Sequence, residues 1–250
     1  MRSFLWNLYA RFFERFTRLL PYQSLLDEVV SELSPRPSMS ILDAGCGPGA
    51  LTYRLWKACP TAQVVAMDLS SAMLRLAHAR LEWPETFHFR HTDLDAGLDT
   101  ATQSFDRIAC VNVLWALPAP GATLARMAAH LSPGGALILV TPRARFRADR
   151  IIWDHLTRSK GWDRLRAIAT LPMLALGGLL NLLLVGTSLL FSQKRSDTDR
   201  FSQAGVTRLC EEAGLSVVAA RPCYAHQAFL FRAIVCGAAG RKETEKRRPE

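Results

Sequence analysis

From residue 39 onward, apolar runs of strand length alternate with segments of helical period, and this rhythm restricts the fold more than any other feature of the chain. Strands are expected at 39–45, 63–70, 87–93, 105–114 and 136–142, with helices at 49–58, 71–81 and 121–131 among them. Ser132-Pro133-Gly134-Gly135 supplies the turn that closes the last of these helices. Strands joined through helices pair in parallel, because a crossover carries the chain back to its starting edge. After a break, a helix at 201–213, capped by Gly214, precedes strands at 215–222 and 227–235. A loop that short joins antiparallel neighbours. The expected fold is α/β: a doubly wound, seven-stranded, mainly parallel sheet with an antiparallel C-terminal hairpin and a hydrophobic helical insertion after the fifth strand.

An apolar fraction of 49% over 250 residues is ample for one such core. The six cysteines form no CxxC pair and share no ligand spacing with histidine. They read as small buried apolar residues of a reducing compartment, and neither a metal site nor a disulfide framework is expected. The formal charge of +9 is unevenly placed. Residues 1–20 carry four arginines against one glutamate, and residues 143–166 carry eight Lys/Arg against three aspartates. Concentrated positive charge suits nucleic acid or an anionic membrane surface.

The chemistry is concentrated in Leu42-Asp43-Ala44-Gly45-Cys46-Gly47-Pro48-Gly49, set between the first strand and its helix. Glycine lets the backbone turn tightly and approach a ligand without a side-chain clash, and the helix start beyond offers free N–H groups. Asp68 ends the second strand, 19 residues past Gly49, where a carboxylate can accept hydrogen bonds from both hydroxyls of a ribose. Asp93 follows the third strand, Phe105-Asp106 opens the fourth, and Asn112 lies at its far end. Polar residues at successive strand C-termini line the crevice of an open α/β sheet. Gly45-x-Gly47-x-x-Ala50 also satisfies a dinucleotide-binding fingerprint. Asp43 two residues before the first glycine, the acid after the third strand and the antiparallel ending count against that reading.

With these residues the chain resembles the class I S-adenosylmethionine-dependent methyltransferases, in the broad group acting on quinone precursors and other small molecules. The resemblance covers about 39–142 and 201–236. It implies a Rossmann-like domain and S-adenosylmethionine as cofactor. Asp43, Gly45, Gly47 and Gly49, with Cys46 in their loop, would hold the methionyl part and Asp68 the ribose. Asp93 and Leu94 would meet the adenine, Leu69 and Met73 would pack beside adenine and ribose, and Asn112 would face the same crevice. LSPGGALILVTP is similar to the family's fifth-strand signature. The tetrapeptide signatures of amino-methylating nucleic-acid enzymes are missing after the fourth strand, which reads Asn112-Val113-Leu114-Trp115. A small molecule is therefore the expected acceptor, and nucleic acid is not.

The insertion at 143–200 opens basic and continues into an uncharged run from 167 to 193, 27 residues long. A single membrane span would strand the last two strands across the bilayer from their sheet, and two spans need about 40 residues. A shallow hairpin entering one leaflet is expected, or a lid packed on the domain. In residues 1–20, Leu5, Leu8, Phe12, Phe16 and Leu19 recur at helical spacing opposite Arg11, Arg15 and Arg18. That helix either lies in a bilayer interface or packs its apolar side onto the domain. Together the two segments predict a monotopic protein on the cytoplasmic face of the cell membrane, with a membrane-resident acceptor such as a lipid, quinone or isoprenoid. The alternatives are a soluble acceptor under a lid and a non-catalytic scaffold.

No catalytic residue is assigned. His155, Asp154, Tyr22, Tyr224 and His226 are weak candidates for a base, each more simply read as a packing or surface residue. The domain boundaries expected are N-terminal helices at 1–38, the cofactor-binding domain at 39–142 and 201–238, the insertion at 143–200 and a disordered charged tail at 239–250.

Overall fold

The computed structural model describes residues 2–98, 103–143, 146–162, 164, 168–169 and 201–236. Two helices, α1 (Arg2–Phe16) and α2 (Leu20–Leu33), precede the alternating elements. These are β1 (Ser40–Ala44), α3 (Ala50–Ala58), β2 (Gln63–Asp68), α4 (Ser71–His78), β3 (Phe87–His91), β4 (Phe105–Val111), α5 (Pro120–Ala129) and β5 (Leu131–Pro142). Beyond them lie α6 (Ala148–Arg158), α7 (Gln203–Glu212), β6 (Leu215–Cys223) and β7 (Ala228–Val235). The seven strands form one sheet in the order β3-β2-β1-β4-β5-β7-β6. The first five pair in parallel, and β7 runs antiparallel to both β5 and β6.

Alternate residues of each strand feed two cores. Ile41, Val64, Ala109 and Ile138 face one side, where Leu25, Leu26 and Val29 of α2 and Leu55 of α3 cover them. Leu42, Val65, Ile108 and Leu137 face the other, beneath Leu124 and Met127 of α5 and Val206 and Cys210 of α7. Each such leucine, isoleucine, valine or methionine side chain, fully removed from water, contributes about 1.5–3 kcal/mol. Five of the six cysteines are buried, and all six are free thiols. Burial pushes the thiols of Cys110, Cys210 and Cys223 up to about 12, which keeps them protonated packing groups.

Two expectations are corrected. The turn placed at Ser132-Pro133-Gly134-Gly135 lies inside β5, whose first residue, Leu131, pairs with Phe105 before a bulge resets the register at Arg107–Ala136. A Cβ on Gly135 would stand 2.8 Å from the Ser132 carbonyl oxygen, so the bulge requires glycine there. The apolar face of α1 is also rotated from its expected position. Tyr9, Ala10 and Thr17 are buried, whereas Leu8 is 54% exposed and Phe4 68%. Apolar residues surround most of this helix, so their period leaves its rotation open, and contacts with the sheet select it.

Among the described residues no helix is long and apolar enough to cross a membrane. The run at 167–193, apart from 168–169, and the tail at 239–250 lie outside the described residues.

Candidate active site

The loop after β1 turns on three glycines with left-handed φ: Gly45 at +78°, Gly47 at +55° and Gly49 at +73°. Two are also sterically exclusive. A Cβ on Gly45 would lie 2.3 Å from a Val113 methyl carbon, and one on Gly49 would lie 2.8 Å from the Ala77 Cβ. Only hydrogen fits at either position. The loop is tied to the next strand, since the Gly45 and Cys46 amides both donate to the Met67 carbonyl, at 2.8 and 2.9 Å.

Asp68 completes the turn. Its Oδ2 accepts from the Gly47 N–H and its Oδ1 from the Ser70 N–H, each at 2.8 Å. Each carboxylate oxygen keeps a second lone pair for a ligand hydroxyl. Asp43 is 2% exposed and accepts from the Thr52 hydroxyl of α3 at 2.7 Å. Among the described residues no ion pair reaches it. Burial pushes its carboxyl up to about 7, with the Asp68 charge adding to the rise and the Thr52 bond opposing it. Burial also raises Asp68, against the two backbone N–H bonds.

The other expected residues occupy the same sheet edge in different settings. Asp93 folds its own loop, its side chain accepting from the Asp95 N–H at 3.1 Å. Leu94 is buried in the core beneath α5 and α7. The Leu69 carbonyl accepts from the Ser3 hydroxyl at 3.3 Å and lies 2.8 Å from His91 Nε2. Met73, 2% exposed, packs against Tyr9 and Ala10 of α1. Asn112 takes φ +58° immediately after β4, and its amide donates to the Val140 carbonyl at 2.8 Å.

Sequence reasoning missed how closely α1 belongs to this site. Asn7 Oδ1 accepts from the Ser70 hydroxyl at 2.6 Å and the Ala72 N–H at 3.0 Å, while Ser70 itself caps α4 by accepting from the Met73 N–H. Trp6 meets Trp115 edge-on at 6.2 Å. The Phe13 ring lies 3.3 Å from where a Gly47 Cβ would stand. The helix therefore bridges the loops that follow β1, β2 and β4. The one signal available was Asn7, a polar residue beside the apolar stripe. Of the candidate bases, His155 accepts from the Leu20 N–H through Nδ1 at 3.2 Å, which satisfies the start of α2. Asp154 pairs with Arg158 at 3.2 Å, and His226 is exposed.

Residues 41–135 match a family model described as a methyltransferase domain. Trans-aconitate 2-methyltransferase of Variovorax paradoxus is 34% identical over 188 residues, 71% of this chain and 67% of that protein. A ubiquinone biosynthesis O-methyltransferase of Hahella chejuensis is 30% identical over 46% of this chain and 48% of its own length. A highly reducing polyketide synthase of Aspergillus luteorubrus is 28% identical over 171 residues, which are 5% of it. Apart from the Variovorax protein, the chain spans about half or less of the relatives named. Among solved structures, magnesium protoporphyrin IX methyltransferase of Synechocystis with bound S-adenosylmethionine superposes with a TM-score of 0.56 at 17% identity, covering 89% of this chain and 90% of that one. The N-methyltransferase NodS of Bradyrhizobium japonicum gives 0.55 at 18%, over 88% and 89%. At such identities these two carry the fold alone. The glycine loop, the strand order and the two-thirds coverage of the Variovorax relative agree: the chain belongs to the class I S-adenosylmethionine-dependent methyltransferases.

Proposed function

We propose that the chain transfers a methyl group from S-adenosylmethionine to a hydrophobic, membrane-resident small molecule at the crevice between the glycine loop and α1. The observation that carries the cofactor assignment is Asp43, a buried carboxylate with no cationic partner among the described residues, beside a loop in which Gly45 and Gly49 admit no Cβ. A positively charged ligand group supplies what that carboxyl lacks. In this reading Asp43 and the loop Gly45-Cys46-Gly47-Gly49 hold the methionyl end. Asp68 offers its remaining lone pairs to the ribose, Asp93 and Leu94 face the adenine, and Leu69, Met73 and Asn112 line the crevice.

When bound, the sulfonium supplies a methyl group activated for in-line displacement. The work of the chain is to fix the two reactants in line and keep water out, for which the apolar inner face of α1 is suited. An amine acceptor needs no added base, but a hydroxyl acceptor must lose a proton.

Two surface features support residence at a membrane. Phe4 and Leu8 stand exposed on the same helical face as Arg11 and Arg15, and Arg18 is exposed in the turn that follows. Trp153 and Trp162 are 70% and 80% exposed on the segment leading into the apolar run. Such tryptophans and arginines suit the headgroup layer, each basic residue adding about 1 kcal/mol near an anionic leaflet. The domain limits in this reading are 1–38, 39–142 with 201–238, and the insertion 143–200. The trans-aconitate relative favours a second reading, a soluble organic acid as acceptor under a lid.

Calorimetry with S-adenosylmethionine tests the first part: the chain binds it, and Asp68→Ala weakens binding about tenfold or more, the loss of a charged hydrogen bond. Labelled methyl recovered in the solvent-extractable fraction of a membrane incubation supports the hydrophobic acceptor. Label confined to the aqueous phase supports the second reading.

A further inference from the structure

Asp43 and Thr52 stand at the two ends of the glycine loop, Asp43 near the close of β1 and Thr52 in the first turn of α3. Both side chains are buried. The Thr52 hydroxyl donates to Asp43 Oδ2 at 2.7 Å, and the Thr52 backbone N–H donates to the same carboxylate. One residue thus offers both of its donors to one buried acid.

The place of Thr52 in α3 explains why its N–H is available. As the third residue of the helix it lies in the turn whose N–H groups have no partner within the helix. An N-cap side chain ordinarily accepts there, but the N-cap here is Gly49, which has none. Asp43 takes that acceptor's place from the neighbouring strand, where its charge meets the positive end of the helix. The hydroxyl is equally committed. A helical threonine can turn its hydroxyl back to the carbonyl four residues earlier, which is Pro48. That carbonyl accepts from Arg80 Nε, and Thr52 Oγ1 turns to Asp43.

Among the described residues, the titratable groups that face Asp43 from the surrounding elements are acids. They are Asp68 at the end of β2, Tyr22 of α2, Cys46 of the loop and Cys110 of β4. Burial keeps the phenol and both thiols protonated, so Asp68 is the one that adds charge, and it opposes a second anion. Asp68 takes its own bonds from the Gly47 and Ser70 N–H groups. A change at Thr52 therefore bears directly on Asp43 and not on Asp68.

We infer that Thr52 is a positioning residue of the cofactor site: its paired donors hold the Asp43 carboxylate as an anion, fixed at the base of the loop, for the ammonium group at the methionyl end of S-adenosylmethionine. Thr52 acts through Asp43 and touches no reacting atom. The inference rests on the cofactor reading above for its ligand, and not for the control of Asp43 itself.

Without the hydroxyl, Asp43 loses a charged hydrogen bond in a setting that already favours its protonated form. Its titration, near 7 in the wild type, should move about one pH unit upward in Thr52→Val. Titration calorimetry on the full chain between pH 6 and pH 8.5 reads this with S-adenosylhomocysteine, which carries the same ammonium. Thr52→Val should bind it about fivefold more weakly than the wild type at pH 7, and less than about twofold more weakly at pH 8.5. Proton release at pH 7, from heats in buffers of different ionisation enthalpy, should rise from about one half to about nine tenths. Thr52→Ser keeps the donor and should retain the wild-type profile. Should Thr52→Val not fold, Thr52→Ala, which removes the same hydroxyl, decides.

An affinity lowered by the same factor at every pH marks a packing role and overturns the inference. So does a Thr52→Ser profile that follows that of Thr52→Val. If the chain binds no S-adenosylhomocysteine at all, the cofactor reading falls, and denaturant midpoints still decide the control of Asp43. The gap in midpoint between wild type and Thr52→Val should widen from pH 5 to pH 8.5, since the lost bond is stronger to a carboxylate than to a neutral carboxyl. A gap that stays constant with pH overturns it there too.

Discussion

At the scale of single residues, Asp43 links proton binding to both stability and ligand binding. Its carboxyl ordinarily titrates near 3.8 and in the fold near 7. Between those values the folded chain holds a proton that the unfolded chain has released. Its contribution to stability is therefore complete below about 4 and is lost as pH rises through about 7. Denaturant midpoints of the ligand-free chain should fall between pH 5 and pH 8, and Asp43→Asn should flatten that slope. The raised Asp68 adds a smaller slope of the same sign. Cofactor binding should release a proton near pH 6, with affinity rising up to tenfold per pH unit before levelling above about 7. Heats measured in buffers of different ionisation enthalpy check this, and identical heats would refute it. Gly45→Ala, with left-handed φ and a Cβ 2.3 Å from Val113, should lower stability by about 2 kcal/mol or more, read as a shift in melting temperature. These glycines were legible because their spacing alone named them. Thr52 was not, because its bond to Asp43 becomes visible only when the fold brings the two together.

Among the elements, α1 is the one whose role the sequence left most open. Its amphipathic period was plain, and Asn7 was available as a polar outlier, but neither says which helix face meets the sheet. The docking contacts do: Asn7 to Ser70 and Ala72, Ser3 to Leu69, and Trp6 to Trp115. Asn7→Ala removes the one acceptor oxygen that takes two hydrogen bonds at the start of α4 and should weaken the α1 attachment by about 1–2 kcal/mol. Hydrogen exchange should then show lost protection in α1 with β1 and β4 unchanged. Loss spread evenly over the sheet would contradict a local anchor. The early start of β5 was hidden for a related reason. Pro133, Gly134 and Gly135 are turn formers in isolation, and only the neighbouring Phe105 strand recruits them into a bulge.

For the whole molecule, strand number and direction were readable because local alternation and loop length indicate both, whereas the order of the strands is set by tertiary packing. The seven strands, their parallel pairing and the antiparallel close all follow from where the helical and strand-like segments fall. Location in the cell has a test at this scale. The full chain should sediment with vesicles of phosphatidylglycerol and phosphatidylethanolamine at low salt and detach partly at 0.5 M salt, as charge screening requires. Replacing Phe4 and Leu8 by serine should weaken the pelleting without altering cofactor heats. Complete absence from the pellet at low salt would remove the membrane from the proposal.

The bridge that α1 makes has a consequence for biosynthesis. It is translated before every surface it rests on, yet its supports include Gly47, Ser70 and Trp115, and its neighbour Tyr22 rests on Tyr224. During synthesis this aromatic, arginine-studded helix must wait unseated while at least the first four strands emerge, open to chaperones or to a lipid surface. Its final docking is thus a late event in folding, although it stands near the beginning of the chain.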